Sequence, residues 1–142
     1  TMNYPNTPAG LLLFMAALRK AAPSIAFSIH CEHDEDAGPI HKECDGFTAA
    51  EADEWQAWQS EVRAECIIDG ETRTGSDYLG GTFEKADDVP EESNPFISGY
   101  LPDMIDRALD ELAAQIGSAH ADEITAARQV LQDCRLTAAD EV

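Results

Sequence analysis

The chain has 142 residues, 44% of them hydrophobic, and its 28 Asp and Glu against nine Lys and Arg give a formal charge of −19. This length has room for one domain, and the ordinary apolar content separates the chain from acidic disordered sequences, which lack core residues. A surface so acidic repels DNA, RNA and anionic membranes and attracts proteins whose working surfaces are basic.

Thr1 ahead of Met2 reads as an artificial addition. Thr7 is placed to cap a helix with Pro8 in its first turn, and Leu11, Phe14, Met15 and Leu18 then recur on one face up to about Ala21. The apolar run from Leu11 to Leu18 falls well short of the roughly 20 residues that span a bilayer. Its nearby cations, Arg19 and Lys20, follow it, whereas a signal peptide carries them in front. A cytoplasmic protein is expected, with Cys31, Cys44, Cys66 and Cys134 reduced and no disulfide framework.

From Ser24 the period becomes two. Ile25, Phe27, Ile29, Cys31 and His33 share one face of a strand, and Ser24, Ser28, His30 and Glu32 share the other. Asp34 to Pro39 carries turn residues and dense charge, so a solvated loop is expected. Thr48-Ala49-Ala50-Glu51 has the form of a capping box and starts a short helix. Near Trp58 the alternation returns, with Trp58, Ser60, Val62, Ala64, Cys66 and Ile68 on one side of a second strand. Asp69-Gly70 suits a type I′ turn into a third strand from Thr72 to Glu84, where Gly75 and Gly80-Gly81 mark bulges or close backbone approach.

Lys85 to Asn94 has no apolar period and reads as a loop. Pro102 opens a helix with Ile105, Ala108, Leu109, Leu112 and Ile116 inward and Gly117 at its end. Ser118 is placed to cap a last helix with Ile124, Ala127, Leu131 and Cys134 inward, and the tail after Arg135 is expected to fray. The whole chain, 1–142, is thus expected to form a single α+β domain. An antiparallel three-stranded sheet packs against three or four helices, covered on one face by the first helix and the last two.

Acidity is the first feature with chemical content. Nine acids stand between Glu32 and Glu54 against Lys42 alone, and Asp103, Asp106 and Asp110 recur along one face of the later helix. Spaced carboxylates on rigid elements imitate the phosphates of a duplex, whose charges lie about 1.7 Å apart along the axis. The bland alternative is a solvated, solubilising face. The residues expected to bind a partner are Asp34, Glu35, Asp36, Glu51, Asp53, Glu54, Asp103, Asp106 and Asp110, with Trp55 and Trp58 as core or interface anchors.

Three of the four histidines and two of the four cysteines fall in His30, Cys31, His33, His41 and Cys44. Cys31, His33, His41 and Cys44 are the candidate ligands for a structural zinc, but their order is not a common finger pattern, and a strand cysteine more often fills a core. No cofactor is favoured. Glu32, Asp34, Asp36 and Glu43 sit at calcium-loop spacing, yet Ala37 occupies the position that needs glycine. Adjacent strand residues point to opposite faces, so Cys31 and His30 do not form a catalytic dyad, and no catalytic residue is assigned. The chain is not expected to be an enzyme.

Several stretches resemble a loosely defined set of small uncharacterised proteins from phages, prophages and plasmids. They are Phe27-Ser28-Ile29-His30-Cys31-Glu32-His33, Glu54-Trp55-Gln56-Ala57-Trp58 leading into Val62-Arg63-Ala64-Glu65, Asp77-Tyr78-Leu79-Gly80-Gly81, and Gly99-Tyr100 before Asp103 to Leu109. The resemblance spans about Ser24 to Ile116; the acidic stretch Glu84 to Glu92 and the final helix depart from it. It implies a mobile-element origin without an established activity. Small acidic phage proteins are similar in character to inhibitors of host defence, including anti-CRISPR and anti-restriction proteins that imitate DNA. The expected function is binding and inhibition of a basic, nucleic-acid-handling protein such as a CRISPR or restriction complex, with no direct contact to nucleic acid or membrane. The alternative is a small structural or regulatory interaction module, with or without zinc, that binds through an apolar patch near the tryptophans.

Overall fold

Alternating apolar residues after Ser24 and around Val62 build the sheet on which everything else rests. The structure is a computed structural model and describes residues 2–85 and 99–137. Its elements are β1 (Met2–Pro5), α1 (Pro8–Ala21), β2 (Ala26–His33), α2 (Ile40–Glu43), a 3₁₀ turn (Ala49–Glu54), β3 (Trp55–Ile68), β4 (Glu71–Lys85), α3 (Leu101–Ile116), α4 (Ala121–Asp133) and β5 (Cys134–Thr137). The acids Asp87, Asp88 and Glu91 of the expected loop lie outside the described residues.

β2, β3 and β4 form an antiparallel sheet in that order. Phe27 lies opposite Ala64 and Cys31 opposite Ser60, so the buried faces of β2 and β3 coincide. Asp69 and Gly70 both have positive φ, 52° and 83°, as a type I′ turn requires. Further along, Trp58 pairs with Thr82 but Ser60 with Leu79, which places an extra β4 residue at Gly80-Gly81 and makes a bulge there.

One face of this sheet carries the core. Phe27, Val62, Ala64 and Cys66 meet Leu11, Phe14 and Leu18 of α1, Met104, Ile105 and Leu112 of α3, and Ile124 and Ala127 of α4. α3 lies along β3 and β4, α1 packs beside β2, and α4 packs on both of those helices. The approach of α3 is so close that a Cβ at Gly75 would stand 2.1 Å from the Ala108 carbonyl oxygen and 2.5 Å from the Leu112 nitrogen. Thr7 caps α1 as expected, accepting the Gly10 N–H at 3.1 Å.

Three expectations are corrected. β3 begins at Trp55, already paired with Lys85 of β4, three residues ahead of the expected Trp58, while the expected short helix after Thr48 is present as a 3₁₀ helix, Ala49–Glu54, with its capping box. Glu51 still accepts the Thr48 N–H at 3.1 Å. The last helix starts at Ala121, its cap position taken by left-handed His120, two residues beyond the expected cap Ser118. A tertiary bond sets this start: Glu123 accepts the Ser24 N–H at 2.6 Å and meets His120 Nδ1 at 3.1 Å. Finally, Cys134–Thr137 is not helix or loose tail but β5, paired in parallel with β1, with Met2 opposite Cys134; the rest of the expected frayed tail, 138–142, lies outside the described residues. Among the described residues no helix is long and apolar enough to cross a membrane.

Candidate functional site

Where β2 ends and β3 begins, the chain from Asp34 to Glu54 folds into a lobe of short turns. Its first residue anchors it three ways. The Asp34 N–H donates to the Ala57 carbonyl at 2.9 Å. Its carboxylate accepts the Asp36 N–H at 3.2 Å and, through the other oxygen, the Gly81 N–H at 2.9 Å. The β4 bulge therefore has a local purpose, since it turns a backbone donor away from the ladder and toward the loop. Glu43 closes the loop by accepting the Gly38 N–H at 3.3 Å, and buried Ile40 pins α2.

Aromatic rings fill the floor and wall of this end. His33 stacks on Trp58 with centroids 4.2 Å apart, and Phe47 meets Trp55 edge-on at 5.3 Å. Beside them opens a cavity of about 430 Å³ lined by His33, Asp34, Glu35, Trp55, Gln56 and Phe83, among others. Polar satisfaction is incomplete here: His41 Nδ1, Gln56 Oε1 and Trp58 Nε1 are buried with no hydrogen-bond partner among the described residues. Such atoms are costly, and native proteins hold few of them.

The same stretch, 34–54, carries Glu35, Asp36, Glu43, Asp45, Asp53 and Glu54, all exposed, with Asp34 and Glu51 half-buried. None of these acids forms an ion pair with a described lysine or arginine. Their only charged neighbour of opposite sign in the stretch is Lys42, itself exposed.

The sequence-expected acids thus divide. Asp34, Glu35, Asp36, Glu51, Asp53 and Glu54 come together in the lobe with Trp55. Trp58 lies beneath, 5% exposed, and supports His33 instead of facing a partner. Asp103, Asp106 and Asp110 are elsewhere and do not form a free row. Asp106 and Asp110 both accept hydrogen bonds from Arg128 of α4, the second at 2.5 Å. Between them Arg107 donates to Asp77 of β4 at 2.9 Å. Burial pulls the Arg128 pKa down, but the bonds and charges of Asp110 and Asp106 outweigh it and raise the pKa overall. These carboxylates tie helices together.

The zinc candidates also separate in role. Cys31 is buried with its sulfur 3.3 Å from Ser60 Oγ, and His33 is engaged with Trp58. Among the described residues no three His, Cys, Asp or Glu side chains converge on a point where a metal could be held. Phe47, Gln56 and Phe83 belong to the site and were not legible in the sequence; Phe47 sits among turn residues without period, and Phe83 follows the bulge that shifts the register. On the opposite face of the sheet nearly buried Glu61 is held by Arg63, and its hydrogen bond with Tyr78 raises the tyrosine pKa. Comparison with protein-family models, with curated proteins and with solved structures finds no match.

Proposed function

We propose that the protein binds and inhibits a basic, nucleic-acid-handling protein, in the manner of an anti-CRISPR or anti-restriction inhibitor, and that the acidic lobe is the binding surface. One observation carries this reading. Six exposed acids from three short segments fall in the one stretch, 35–54, that also carries Phe47 and leads into its ring partner Trp55, and none is neutralised by a described cation. A solubilising surface needs no such concentration, and elsewhere in the molecule Arg63, Arg73, Arg107 and Arg128 each pair with an acid. The partner's basic channel would be steered toward the lobe by long-range attraction, which raises the association rate and weakens with salt. The loop is already tied to Ala57 and Gly81, so less conformational entropy is lost on docking than in a free acidic tail.

The test is inhibition of DNA cleavage by a panel of purified CRISPR effector and restriction complexes, with the parent protein and with the variant Glu35→Gln/Asp36→Asn/Asp53→Asn/Glu54→Gln. At least one complex should be inhibited by the parent and released by the variant, with inhibition falling as salt rises. Inhibition of none, or equal inhibition by the variant, overturns the reading.

A further inference from the structure

We propose that the cavity beside Trp55 receives an arginine side chain of the partner. This rests on the lobe being a binding surface and specifies what it recognises.

The chemistry of the lining favours a flat, donor-rich cation. Its charged groups are the carboxylates of Asp34 and Glu35. Each Asp34 oxygen takes one backbone N–H, at 3.2 and 2.9 Å, which leaves each a further lone pair directed by a fixed carboxylate. Gln56, in the same lining, has a buried amide oxygen with no donor among the described residues. A donor entering the cavity and met by rotation of that amide gains a bond that solvent does not supply.

The walls are aromatic. Trp55 and Phe83 line the cavity, and His33 is held flat by its stack on Trp58. A guanidinium lies on such faces by cation–π and planar stacking while its five N–H groups reach acceptors at the rim; an ammonium offers only a strongly hydrated point charge. The cavity, about 430 Å³, lies within the roughly 300–1,000 Å³ usual for ligand sites, so the aliphatic stem fits as well. Asp106 and Asp110 of α3 offer no comparable place, being occupied by Arg128.

The probe is the peptide acetyl-Gly-Arg-Gly-Arg-Gly-amide, with its lysine counterpart and its neutral citrulline counterpart. Each is titrated into the full chain at low salt while the two tryptophan indole N–H resonances are followed, assigned with Trp55→Phe. The arginine peptide should move the Trp55 signal, the lysine peptide should bind several-fold more weakly, and the citrulline peptide should not bind. Trp55→Leu should weaken arginine-peptide binding about tenfold, the scale of a desolvated cation–π contact. Exposed Glu35→Gln, which leaves folding alone, should weaken it about threefold by removing one charge partner. Equal binding of the arginine and lysine peptides overturns the proposal. So does arginine-peptide binding that leaves Trp55 unmoved and is lost only in Asp53→Asn/Glu54→Gln, although the lobe would then remain a binding surface. Conversely, a Trp55-centred arginine site in a protein that inhibits no complex of the cleavage panel supports the pocket and rejects the inhibitor reading.

Discussion

The lobe at 34–54 and the helical layer of α3 and α4 are both rich in acid, and they use it in opposite ways. In the helical layer Asp106 and Asp110 hold Arg128, and Asp77 holds Arg107, so the carboxylates cross-link α3 to α4 and to β4. In the lobe the acids bond to backbone N–H groups, to Thr48 or to nothing described, and their charge is left uncompensated. A net charge of −19 is therefore a poor guide to where a partner binds. What marks the candidate surface is the concentration, in one short stretch, of acids without arginines; Asp103, Glu111 and Asp122 of the helical layer are also without a described ion pair but stand apart in sequence.

If the helical layer is the rigid half of this comparison, Gly75 is where it breaks first. Gly75→Ala places a methyl group 2.1 Å from the Ala108 carbonyl oxygen, and neither neighbour is a side-chain end that swings aside. The α3 helix must lift from β4, which should cost about 3 kcal/mol, the upper part of the range for overpacking. Urea denaturation measures it. A loss below about 1 kcal/mol, smaller than usual for overpacking, means that α3 is not seated on the sheet as described.

Next in size is the cross-link itself. Asp106→Asn with Asp110→Asn should destabilise the fold by about 1 kcal/mol, a modest figure because these carboxylates are about half exposed, 48% and 64%, and solvent screens them. Binding of the arginine peptide should be unchanged. Read from the sequence alone, the same residues with Asp103 form a free carboxylate row whose neutralisation weakens binding and spares folding, so this double variant separates the two accounts directly.

A smaller, pH-dependent effect comes from Glu123, whose carboxylate joins the start of β2 to the start of α4. Its pKa is lowered chiefly by the Ser24 N–H bond, with smaller help from the Ser24 hydroxyl and His120. A carboxyl that ionises at lower pH when folded stabilises the fold fully above its unfolded pKa, and that contribution is lost as pH falls through the folded value. The parent should therefore lose stability into the acid range more steeply than Glu123→Gln, and the two curves should converge at the acid end. Denaturation midpoints from neutral pH to about pH 3, below the ordinary carboxylate range, decide it. Parallel curves would show that the bond to Ser24 contributes nothing.

The sheet was legible because its signals are local. Period-two runs through Phe27 and Val62, the Asp69-Gly70 pair and the Gly80-Gly81 bulge each state their geometry within a few residues. β1 and β5 were not, since a parallel pairing of segments far apart in sequence, Met2 with Cys134, has no turn and no shared period to betray it. The start of α4 shows the same limit: Ser118 is a good local cap, but the long-range bond from Glu123 to Ser24 goes with a start at Ala121. At the candidate site, composition pointed to the acids of 34–54 and to Trp55. It could not tell these acids from those of α3, because whether a carboxylate meets an arginine depends on which helices become neighbours.

The smallest expected effect bears most directly on the comparison. Neutralising Glu35, Asp36, Asp53 and Glu54 together removes like charges that repel one another and pair with no described cation, so the isolated variant should be slightly more stable than the parent at low salt, by a few tenths of a kcal/mol, the usual scale for exposed charges. The gain should vanish near 1 M salt, where the screening length falls to about 3 Å. A basic partner relieves this same repulsion when it docks, so the substitutions that stabilise the free protein should weaken the complex, and both effects should fade together as salt is raised. Thermal denaturation at low and high salt, run beside the cleavage assay, measures the two quantities on one variant. If the quadruple variant is less stable than the parent at low salt, these acids are structural in the same sense as Asp106 and Asp110, and the distinction between the two regions fails.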